Sequence, residues 1–423
     1  MLTLKYIREN REKAIQDLAK KNFDASEILD NVIHKDELRK KTQTELDQTL
    51  AESNQLAKLI GGFYKNGETE KAEQAKKQTT ELKIKSKALN ELLNTTNQEL
   101  NELLYQIPNI PHASVPHGKS ADENEVIRQK NDTLKLHEGA MPHWELAAKY
   151  DLIDFELGNK ITGAGFPVYK GKGARLQRAL INYFLDKNTE VGYQEVQVPH
   201  LVNEASGFGT GQLPDKEGQM YHVNEDNLYL IPTAEVPITN IFRSEIFKQE
   251  QLPIKYTGYT PCFRREAGSY GKDVRGLNRL HQFDKVEIVQ VQHPEKSYQT
   301  LTQMVEHVSN LLDELELPYR ILKLCGGDMS FTSSLTFDME VYSAAQKRWL
   351  EVSSVSNFEA YQANRLKLRF KDNENKSQLC HTLNGSALAL PRIVASILEN
   401  NQYENGIKIP KVLTSYTGFD EIK

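Results

Sequence analysis

Hydrophobic and polar positions in the first quarter of the chain follow the spacing of a coiled coil. Alternate steps of three and four connect a series of small, hydroxyl or apolar residues, namely Ala72, Ala75, Thr79, Leu82, Ser86, Leu89, Leu93, Thr96, Leu100 and Leu103. This alternation places them along one seam of a long α-helix. A looser seam upstream, formed by Leu46, Leu50, Ala57 and Ile60, predicts a second helix.

A glycine-containing stretch at 61–67 separates the two helical patterns. Gly61, Gly62 and Gly67 favour a break there. We therefore predict an antiparallel αα-hairpin, with a coiled coil over about 27–106 inside a helical region 1–106. Because Thr and Ser occupy seam positions, the hairpin is predicted to be a solvated projection rather than part of a large core.

Three prolines at 108, 111 and 116 end the helical pattern, because proline cannot continue a helix. We expect a linker at 107–116 and a second domain at 117–423. Strand-like runs there include Tyr193–Val198, Leu228–Ile231, Val286–Val291, Thr336–Val341 and Trp349–Ser353. Helical patterns cover Arg175–Lys187, Ser297–Leu315 and Leu388–Glu399. Together they predict an α+β domain with a largely antiparallel sheet flanked by helices.

Length and composition agree with this division. The 423 residues include 53 Lys+Arg, 58 Asp+Glu and three cysteines, with a net charge of -5. A single core stops growing at roughly 250–300 residues, so two domains are expected. Without an apolar run of about 18 residues or an apolar N-terminal segment, neither a membrane span nor a signal peptide is expected.

The three cysteines and the charge balance narrow the class of protein. Cys262, Cys325 and Cys380 form no CxxC pair, which argues against a disulfide framework or a cysteine zinc site and favours the cytoplasm. The near-neutral charge excludes a globally basic nucleic-acid binder, so any such contact requires a local patch.

A run of lysines in the second helix offers such a patch. It consists of Lys76, Lys77, Lys83, Lys85 and Lys87, with only Glu81 among them. The run is either a solvated charged face or a stripe that follows the phosphates of a nucleic acid.

The first segment with candidate chemistry is Thr233-Ala234-Glu235, which follows the strand-like run Leu228–Ile231. A hydroxyl and a carboxylate two residues apart can face one cavity, where Glu235 could accept from an ammonium group. The alternative is a helix N-terminus with Thr233 as its cap.

The second segment runs from Cys262 to Glu287 and predicts a strand, a glycine-rich basic loop and a returning strand. Arg264 offers a planar fork suited to a carboxylate or a phosphate, and Glu266, two residues on, is expected on the same strand face. Arg275 and Arg279 add positive charge on the loop, and Phe283 and Glu287 alternate in phase on the return strand. A surface hairpin of balanced charge is the alternative.

The third segment, Glu351-Val352-Ser353-Ser354, offers oxygen ligands of the kind that Mg²⁺ prefers, although a polar edge strand would have the same pattern. The fourth, Thr382–Arg392, predicts an apolar helix with Arg392 as its one charge, about a turn and a half from its start. Arg392 either reaches an anion or a ring, or extends to the surface. The four segments together indicate a nucleotide phosphate site that works by positioning and charge stabilisation.

Several of these stretches resemble the motifs of a known class of enzyme. Phe263-Arg264-Arg265-Glu266, the run from Arg279 to Glu287, and Asn384-Gly385-Ser386 through Arg392 resemble motifs 2 and 3 of class II aminoacyl-tRNA synthetases. With Thr233-Ala234-Glu235, Glu351–Ser354 and the helical arm, the whole chain resembles the bacterial-type seryl-tRNA synthetase family. Gly192–Pro199 resembles motif 1, which lies at the dimer interface in that family, and Phe208–Pro214 resembles a loop near the serine pocket.

The resemblance implies ATP-dependent activation of L-serine to seryl-adenylate and transfer to tRNA(Ser), with tRNA(Sec) as a further candidate, by a homodimer that uses Mg²⁺. The implied serine-binding residues are Thr233, Ala234, Glu235, Arg264, Glu287, Asn384 and Ser386. The implied ATP-binding residues are Arg264, Arg265, Glu266, Arg275, Arg279, Leu280, Phe283, Glu351, Val352, Ser353, Ser354 and Arg392. Arg264 and Arg392 are the implied catalytic residues, and Glu351 and Ser354 are the implied Mg²⁺ ligands. The implied tRNA contacts are Lys76, Lys77, Lys83, Lys85 and Lys87.

The sequence departs from the family pattern at two positions. Leu335 stands where many relatives carry a lysine, and Tyr342 replaces a commoner tryptophan. Two other functions stay open: a synthetase-like protein that loads an amino acid onto a carrier protein, and a coiled-coil adaptor with an inactive nucleotide domain. The intact hairpin argues against the first, and the joint presence of Arg264, Glu266, Glu351 and Arg392 argues against the second.

Overall fold

The computed structural model describes residues 1–130, 133–215, 217–266 and 275–423. The described residues form two units. The first comprises Met1–Ala19 and Phe23–Pro108, and the second comprises Lys20–Asn22 and Asn109–Lys423. The division after Pro108 falls inside the proline-rich segment. From Asn109 onward that segment is bonded into the second unit, where the Asn109 N–H donates to Phe331 O at 2.9 Å.

The first unit is helical. Its elements are α1 (Leu4–Glu9), α2 (Arg11–Ala19), α3 (Ser26–Lys65) and α4 (Thr69–Tyr105). Lys35 of α3 pairs with Glu99 of α4 at 2.5 Å, and Glu45 pairs with Lys85 at 2.8 Å. Since the partner number falls as the residue number rises, the two helices are antiparallel, as predicted.

The seam predicted for α4 is confirmed. Its buried members are Ala72, Ala75, Thr79, Leu93, Thr96 and Leu100, and the other four are partly buried. Thr79 and Thr96 tolerate burial because each hydroxyl donates to the carbonyl one turn earlier, at 2.8 Å.

Two details of α3 differ from the prediction. The helix continues through Gly61 and Gly62 to Lys65, so the chain turns only at 66–68, where Gly67 has φ +74°. A glycine costs a helix about 1 kcal/mol relative to alanine, and pairing along a 40-residue helix offsets that loss. The predicted seam was also partly wrong, because Leu50 and Ala57 are exposed.

Polar and hydroxyl side chains take part of the α3 seam instead. The buried residues of this helix are Leu29, Val32, Asp36, Thr42, Leu46, Thr49 and Ser53. The Thr49 hydroxyl donates to Glu45 O at 2.7 Å, so its burial leaves no unpaired donor.

The second unit combines helices with several sheets. Its helices are α5 (His143–Lys149), α6 (Phe155–Ile161), α7 (Gly171–Glu190), α8 (Glu204–Thr210), α9 (Glu235–Asn240), α10 (Ser297–Glu314), α11 (Ala360–Leu366), α12 (Leu390–Asn400) and α13 (Thr414–Thr417). Its strands are β1 (Glu125–Lys130), β2 (Ile153–Asp154), β3 (Val168–Tyr169), β4 (Gln194–Glu195), β5 (Leu201–Asn203), β6 (His222–Val223), β7 (Leu228–Leu230), β8 (Ile246–Lys248), β9 (Ile254–Phe263), β10 (Gln282–Gln292), β11 (Tyr319–Lys323), β12 (Leu335–Ser343), β13 (Arg348–Asn357), β14 (Arg369–Lys371), β15 (Ser377–Leu379), β16 (His381–Ala389), β17 (Gln402–Tyr403), β18 (Gly406–Lys408) and β19 (Glu421–Ile422).

The largest sheet confirms the predicted architecture. Among the described residues it has eight strands in the order β1-β11-β12-β13-β16-β10-β9-β4. Neighbouring strands are antiparallel, except that β4 runs parallel to β9. The predicted strand Tyr193–Val198 is shorter than expected, since only Gln194–Glu195 pair, and Leu228–Leu230 belongs to a separate three-stranded sheet.

Strand alternation separates the core from the site. On β10, Val286 and Ile288 join one apolar cluster with residues of α7, α10 and α12. Lys285 and Glu287 have the opposite parity and therefore face away from that cluster. Phe283, near the start of the strand, is partly buried and packs against the cluster. None of the helices in the described part of the chain is both long and apolar enough to cross a membrane.

Candidate active site

The face of β10 opposite the core carries a buried ion pair. Lys285 Nζ lies 2.6 Å from Glu287 Oε2 and 2.8 Å from Thr233 Oγ1. The two charged side chains are only 7% and 1% exposed. Burial of this degree requires a partner of opposite charge for each group, and the pair provides it.

Glu287 uses only one of its two oxygens in this arrangement. Thr233 Oγ1 donates to Glu287 Oε2 at 3.4 Å, so Lys285 and Thr233 contact the same oxygen. Glu287 Oε1 is buried and, among the described residues, has no hydrogen-bond partner. An unmade bond of this kind costs about 1–3 kcal/mol, so the position favours a ligand that donates a hydrogen bond.

Glu235 supplies a second carboxylate from the start of α9. Gln362 Nε2 donates to Glu235 Oε1 at 2.7 Å, and Thr382 Oγ1 holds Gln362 by donating to its Oε1 at 2.7 Å. Burial, followed by the charge of Glu287, raises the pKa of Glu235 to about 7. The Glu235 N–H donates to Thr233 Oγ1 at 3.2 Å, so Thr233 bonds the helix start and also faces the cluster. Ala234, between them, is fully buried.

Arg264 follows the end of β9. Its Nε donates to Pro232 O at 3.2 Å, and its guanidinium lies 5.2 Å from the centre of the Phe283 ring. These contacts hold the planar fork beside the strand that carries Lys285 and Glu287. Arg265, next along the chain, is exposed, and its N–H donates to Gln219 O at 2.8 Å.

The two limbs of the predicted basic loop meet in an ion pair. Strand β9 ends at Phe263, so Glu266 does not continue the strand face as predicted. Glu266 has φ +47°, and its Oε2 lies 3.0 Å from Arg279 Nη1. The glycine-rich stretch 267–274 lies outside the described residues. On the return limb, the guanidinium of Arg275 stacks 4.8 Å from the centre of the Trp144 ring, and Leu280 is buried in the apolar core.

Arg392 lies nearer the start of its helix than predicted. Strand β16 extends to Ala389, so Arg392 is the third residue of α12 rather than a turn and a half into a helix. Its Nε donates to Asn278 O at 3.0 Å and its Nη1 donates to Glu351 O at 2.7 Å. The side chain is thus held against two site segments.

Strands β13 and β16 carry the other candidate residues. Ser386 pairs with Glu287 across β16 and β10, and Asn384 pairs with Ser356 of β13. Ser353 is buried and donates to Ser386 O at 2.6 Å, while Val352 lies in the apolar core. The side chain of Val352 therefore packs in the core, and the hydroxyl of Ser353 is taken up by a hydrogen bond within the fold.

The proposed Mg²⁺ ligands lie in the middle of β13. The Glu351 carboxylate is half exposed, and Ser354 pairs with Asp338 of β12. Burial, followed by the charge of Glu351, raises the pKa of Asp338. No group of three or more His, Cys, Asp or Glu that could hold a metal occurs in the described ranges. One carboxylate and one hydroxyl nevertheless fit Mg²⁺, which commonly takes its other ligands from phosphates and water.

The candidate tRNA contacts lie on α4 of the first unit. Lys76, Lys77, Lys83 and Lys87 are exposed there. Lys76 is 3.8 Å from Glu73 Oε1, and Lys85 is also exposed but pairs with Glu45 of α3.

The structure adds two residues that the sequence analysis missed. Lys285 has the same strand parity as Phe283 and Glu287, and this parity is the signal that could have identified it. Gln362 lies 127 residues from its partner Glu235. Its sequence neighbours carry no signal of that contact.

Comparison with known proteins identifies the family to which the chain belongs. Residues 219–401 match the tRNA synthetase class II core domain (G, H, P, S and T), and residues 1–111 match the seryl-tRNA synthetase N-terminal domain. Fold and site therefore define a class II aminoacyl-tRNA synthetase. The chain belongs to the seryl-tRNA synthetase family.

Relatives of full length support that assignment. A serine--tRNA ligase of Salinibacter ruber is 49% identical over 100% of this chain and 99% of its own length. One of Chlorobaculum parvum is 46% identical over 100% of both chains. The structure of the Pyrococcus horikoshii seryl-tRNA synthetase complexed with ATP has a TM-score of 0.88 at 33% identity, covering 100% of this chain and 99% of that chain.

Proposed function

We propose that the second unit activates L-serine with ATP and that the chain transfers the seryl group to tRNA(Ser). The observation that carries this proposal is the buried, unpartnered Oε1 of Glu287 beside Lys285, Thr233 and Glu235. The ionised Glu235 accepts from the serine ammonium group, and Glu287 Oε1 accepts from the serine hydroxyl. Arg264 binds the serine carboxylate.

The same arginine links serine to ATP. In the first step, a serine carboxylate oxygen attacks the α-phosphorus in line, an acyl-phosphate bond forms, and pyrophosphate leaves. Arg264 bridges the carboxylate and the α-phosphate and stabilises the charge that develops there. In the second step, the terminal ribose hydroxyl of the tRNA attacks the acyl carbon and AMP leaves.

The remaining residues position ATP. We place the adenine on the Phe283 ring with Arg392 on its other side, Leu280 along its edge and Glu266 at the base. Arg275 and Arg279 are assigned to the phosphates, with Arg265 nearby and the 352–353 backbone beside the nucleotide. Glu351 and Ser354 would hold Mg²⁺, which neutralises charge on phosphate oxygens when bound.

Selection of serine over alanine follows from the pocket. Alanine would leave Glu287 Oε1 unpaired, and a site built to bond a hydroxyl rejects the analogue without it by roughly 10⁴–10⁵-fold. Ser386, opposite Glu287, and Asn384 complete the wall of the pocket in this proposal.

The first unit is assigned to tRNA. We propose that the coiled coil, about 27–106, binds tRNA(Ser) through phosphate contacts of Lys76, Lys77, Lys83, Lys85 and Lys87, and that tRNA(Sec) is a further candidate. The segment 192–199 is proposed as part of a homodimer interface. The three cysteines are free and buried, which is compatible with the reducing cytoplasm as the proposed compartment.

Two assays separate this function from its alternatives. Serine-dependent ATP–pyrophosphate exchange should occur, and tRNA(Ser) should be charged. Exchange without charging would favour the protein that loads a carrier, and absence of exchange would favour the adaptor.

A further inference from the structure

A buried histidine contacts the return limb of the arginine loop from a distant part of the chain. His143, the first residue of α5, is 0% exposed, and its Nε2 accepts a hydrogen bond from the Leu277 N–H at 2.8 Å. Because a backbone N–H can only donate, Nε2 carries no proton in this contact. The ring proton therefore lies on Nδ1.

Glu399 fixes the histidine in that tautomer. Its Oε1 accepts from His143 Nδ1 at 2.7 Å and from the His143 N–H at 3.0 Å. Ser343 Oγ donates to Oε2 of the same carboxylate. Burial opposes ionisation, but the hydrogen bonds that His143 and Ser343 donate to the carboxylate lower the pKa of Glu399.

The loop approaches His143 closely at a glycine. A Cβ at Gly276 would lie 2.3 Å from His143 Nε2, and Gly276 has φ +66°, which side chains rarely adopt. Both the space and the backbone conformation therefore require glycine at this position. The adjacent Arg275 stacks on Trp144, so two consecutive residues of α5 hold the end of the loop.

The same network reaches Arg392. Glu399 Oε1 accepts from Gln346 Nε2 at 3.0 Å, and Gln346 Oε1 accepts from Asn278 Nδ2 at 3.0 Å. Asn278 O accepts from Arg392 Nε at 3.0 Å. Arg392 and Glu399 are also seven residues apart on α12, which places them on the same face of that helix.

We propose that His143 and Glu399 are positioning residues for ATP. Through the Leu277 N–H they fix the position of the backbone of segment 275–279. Through Gln346 and Asn278 they fix the position of the guanidinium of Arg392. They contact neither substrate in the proposed mechanism. The inference rests on the proposed function, because it assigns Arg275, Arg279 and Arg392 to the nucleotide.

The test is the steady-state kinetics of ATP–pyrophosphate exchange in the full chain. His143→Ala should raise the KM for ATP about tenfold, the effect of removing one hydrogen bond, and leave the KM for serine within about twofold. His143→Gln can accept from Leu277 through Oε1 and donate to Glu399 through Nε2, so it should restore most of the affinity for ATP. Gly276→Ala disrupts the same contact from the loop side. It should therefore also raise the KM for ATP and leave the KM for serine nearly unchanged.

A stability control separates positioning from general loss of packing. Tyr183→Phe removes a buried hydroxyl that donates to Glu314 at 2.8 Å, far along the chain from the loop. It should lower the unfolding temperature without changing either KM. Equal increases in both KM values for His143→Ala, or no rescue by glutamine, would overturn the inference.

Three further outcomes remain distinct from these. If His143→Ala does not fold, Gly276→Ala decides the question, because it leaves the His143–Glu399 pair in place. Absence of serine-dependent exchange in the wild-type chain would overturn the proposed function itself. Normal wild-type exchange with an unchanged KM for ATP in both variants would overturn only the positioning role.

Discussion

Lys285 Nζ lies 2.6 Å from Glu287 Oε2, and both side chains are almost completely buried. The pair fixes one oxygen of Glu287 and leaves Oε1 buried without a protein partner among the described residues. An ion pair thus orients the carboxylate proposed to recognise the substrate hydroxyl.

Removing one member of this pair should harm both stability and function. In Lys285→Met, Glu287 would lose its buried counter-charge, and the free energy of unfolding should fall by about 3–5 kcal/mol. Serine-dependent exchange should fall as well. Chemical denaturation and exchange assays on the same preparation measure the two effects.

A double variant separates stability from chemistry. Lys285→Met combined with Glu287→Leu replaces the pair by apolar side chains, and such replacements are often neutral or stabilising. Most of the lost stability should return while serine-dependent exchange stays low. Recovery of exchange in the double variant would contradict the assigned role of Glu287.

Selectivity should depend on Glu287 itself. Glu287→Ala removes the acceptor for the serine hydroxyl, so the ratio of kcat/KM for serine to that for alanine should fall by about 10²-fold or more. The KM for ATP should change much less, since Glu287 faces the amino acid in the proposed mechanism. Exchange measured with each amino acid gives the ratio, and an unchanged ratio would exclude this role.

Glu235 predicts a pH dependence of serine binding. Burial and the neighbouring Glu287 raise its pKa to about 7, and the serine ammonium group requires the ionised form. The KM for serine should therefore fall as pH rises through about 7. Glu235→Gln should give a high KM that does not change over the same pH range, and a wild-type KM independent of pH would contradict the assignment.

The raised pKa of Glu235 also makes the free energy of unfolding depend on pH. The pKa of Glu235 is higher in the folded chain than the ordinary value of 4.5, so the folded chain retains a proton that the unfolded chain has lost between about pH 4.5 and 7. The contribution of Glu235 to the free energy of unfolding is full below pH 4.5 and decreases as pH rises to about 7. Glu235→Gln should remove this part of the pH dependence.

Arg264 is predicted to be essential for the first step. Arg264→Ala should reduce ATP–pyrophosphate exchange by about 10³-fold, because it removes charge stabilisation at the reacting phosphate. Arg264→Lys should recover little, since a point charge can neither fork nor stack on Phe283 in the same way. Arg128→Ala is a matched control, because it removes an arginine that pairs with Glu306. Exchange near the wild-type rate in Arg264→Ala would contradict the role assigned to Arg264.

The sequence predicted most clearly the features that follow a repeating pattern. The heptad of α4 and the alternation on β10 both depend on the fixed geometry of a helix or a strand, and the structure confirms the seam and the antiparallel sheet. Local signals were weaker. Gly61 and Gly62 were expected to end a helix, but pairing along the hairpin overrides their low propensity.

Contacts between distant segments were not predictable from a single sequence. Gln362 on Glu235 and His143 on Leu277 join residues more than a hundred positions apart, and no periodicity records such pairs. The position of Arg392 was wrong by a turn because a strand, not a helix, precedes it. An apolar run such as 387–391 is compatible with either element.

The helical arm should be dispensable for activation and required for charging. Glu45 and Lys85 already lie 2.8 Å apart across the hairpin, so residues 46–84 can be replaced by a short Gly/Ser turn that joins the two helices in place. Exchange should stay within about twofold of wild type, whereas charging of tRNA(Ser) should fall about 100-fold or more, because Lys76, Lys77 and Lys83, three of the five lysines proposed to bind its phosphates, are removed. Loss of both activities would instead mean that the arm is needed for folding.

Neutralising the lysines tests the same interaction without shortening the arm. A variant with Lys76, Lys77, Lys83 and Lys87 changed to Gln should bind tRNA(Ser) more weakly and with a smaller dependence on salt, by about 0.7–0.9 in the log–log slope for each phosphate that is no longer neutralised. Lys85 is left in place because it pairs with Glu45. Lys58→Gln, which removes one exposed lysine of α3, is the control. If the dependence of tRNA binding on salt were unchanged in the four-lysine variant, this face of α4 would not follow the tRNA backbone.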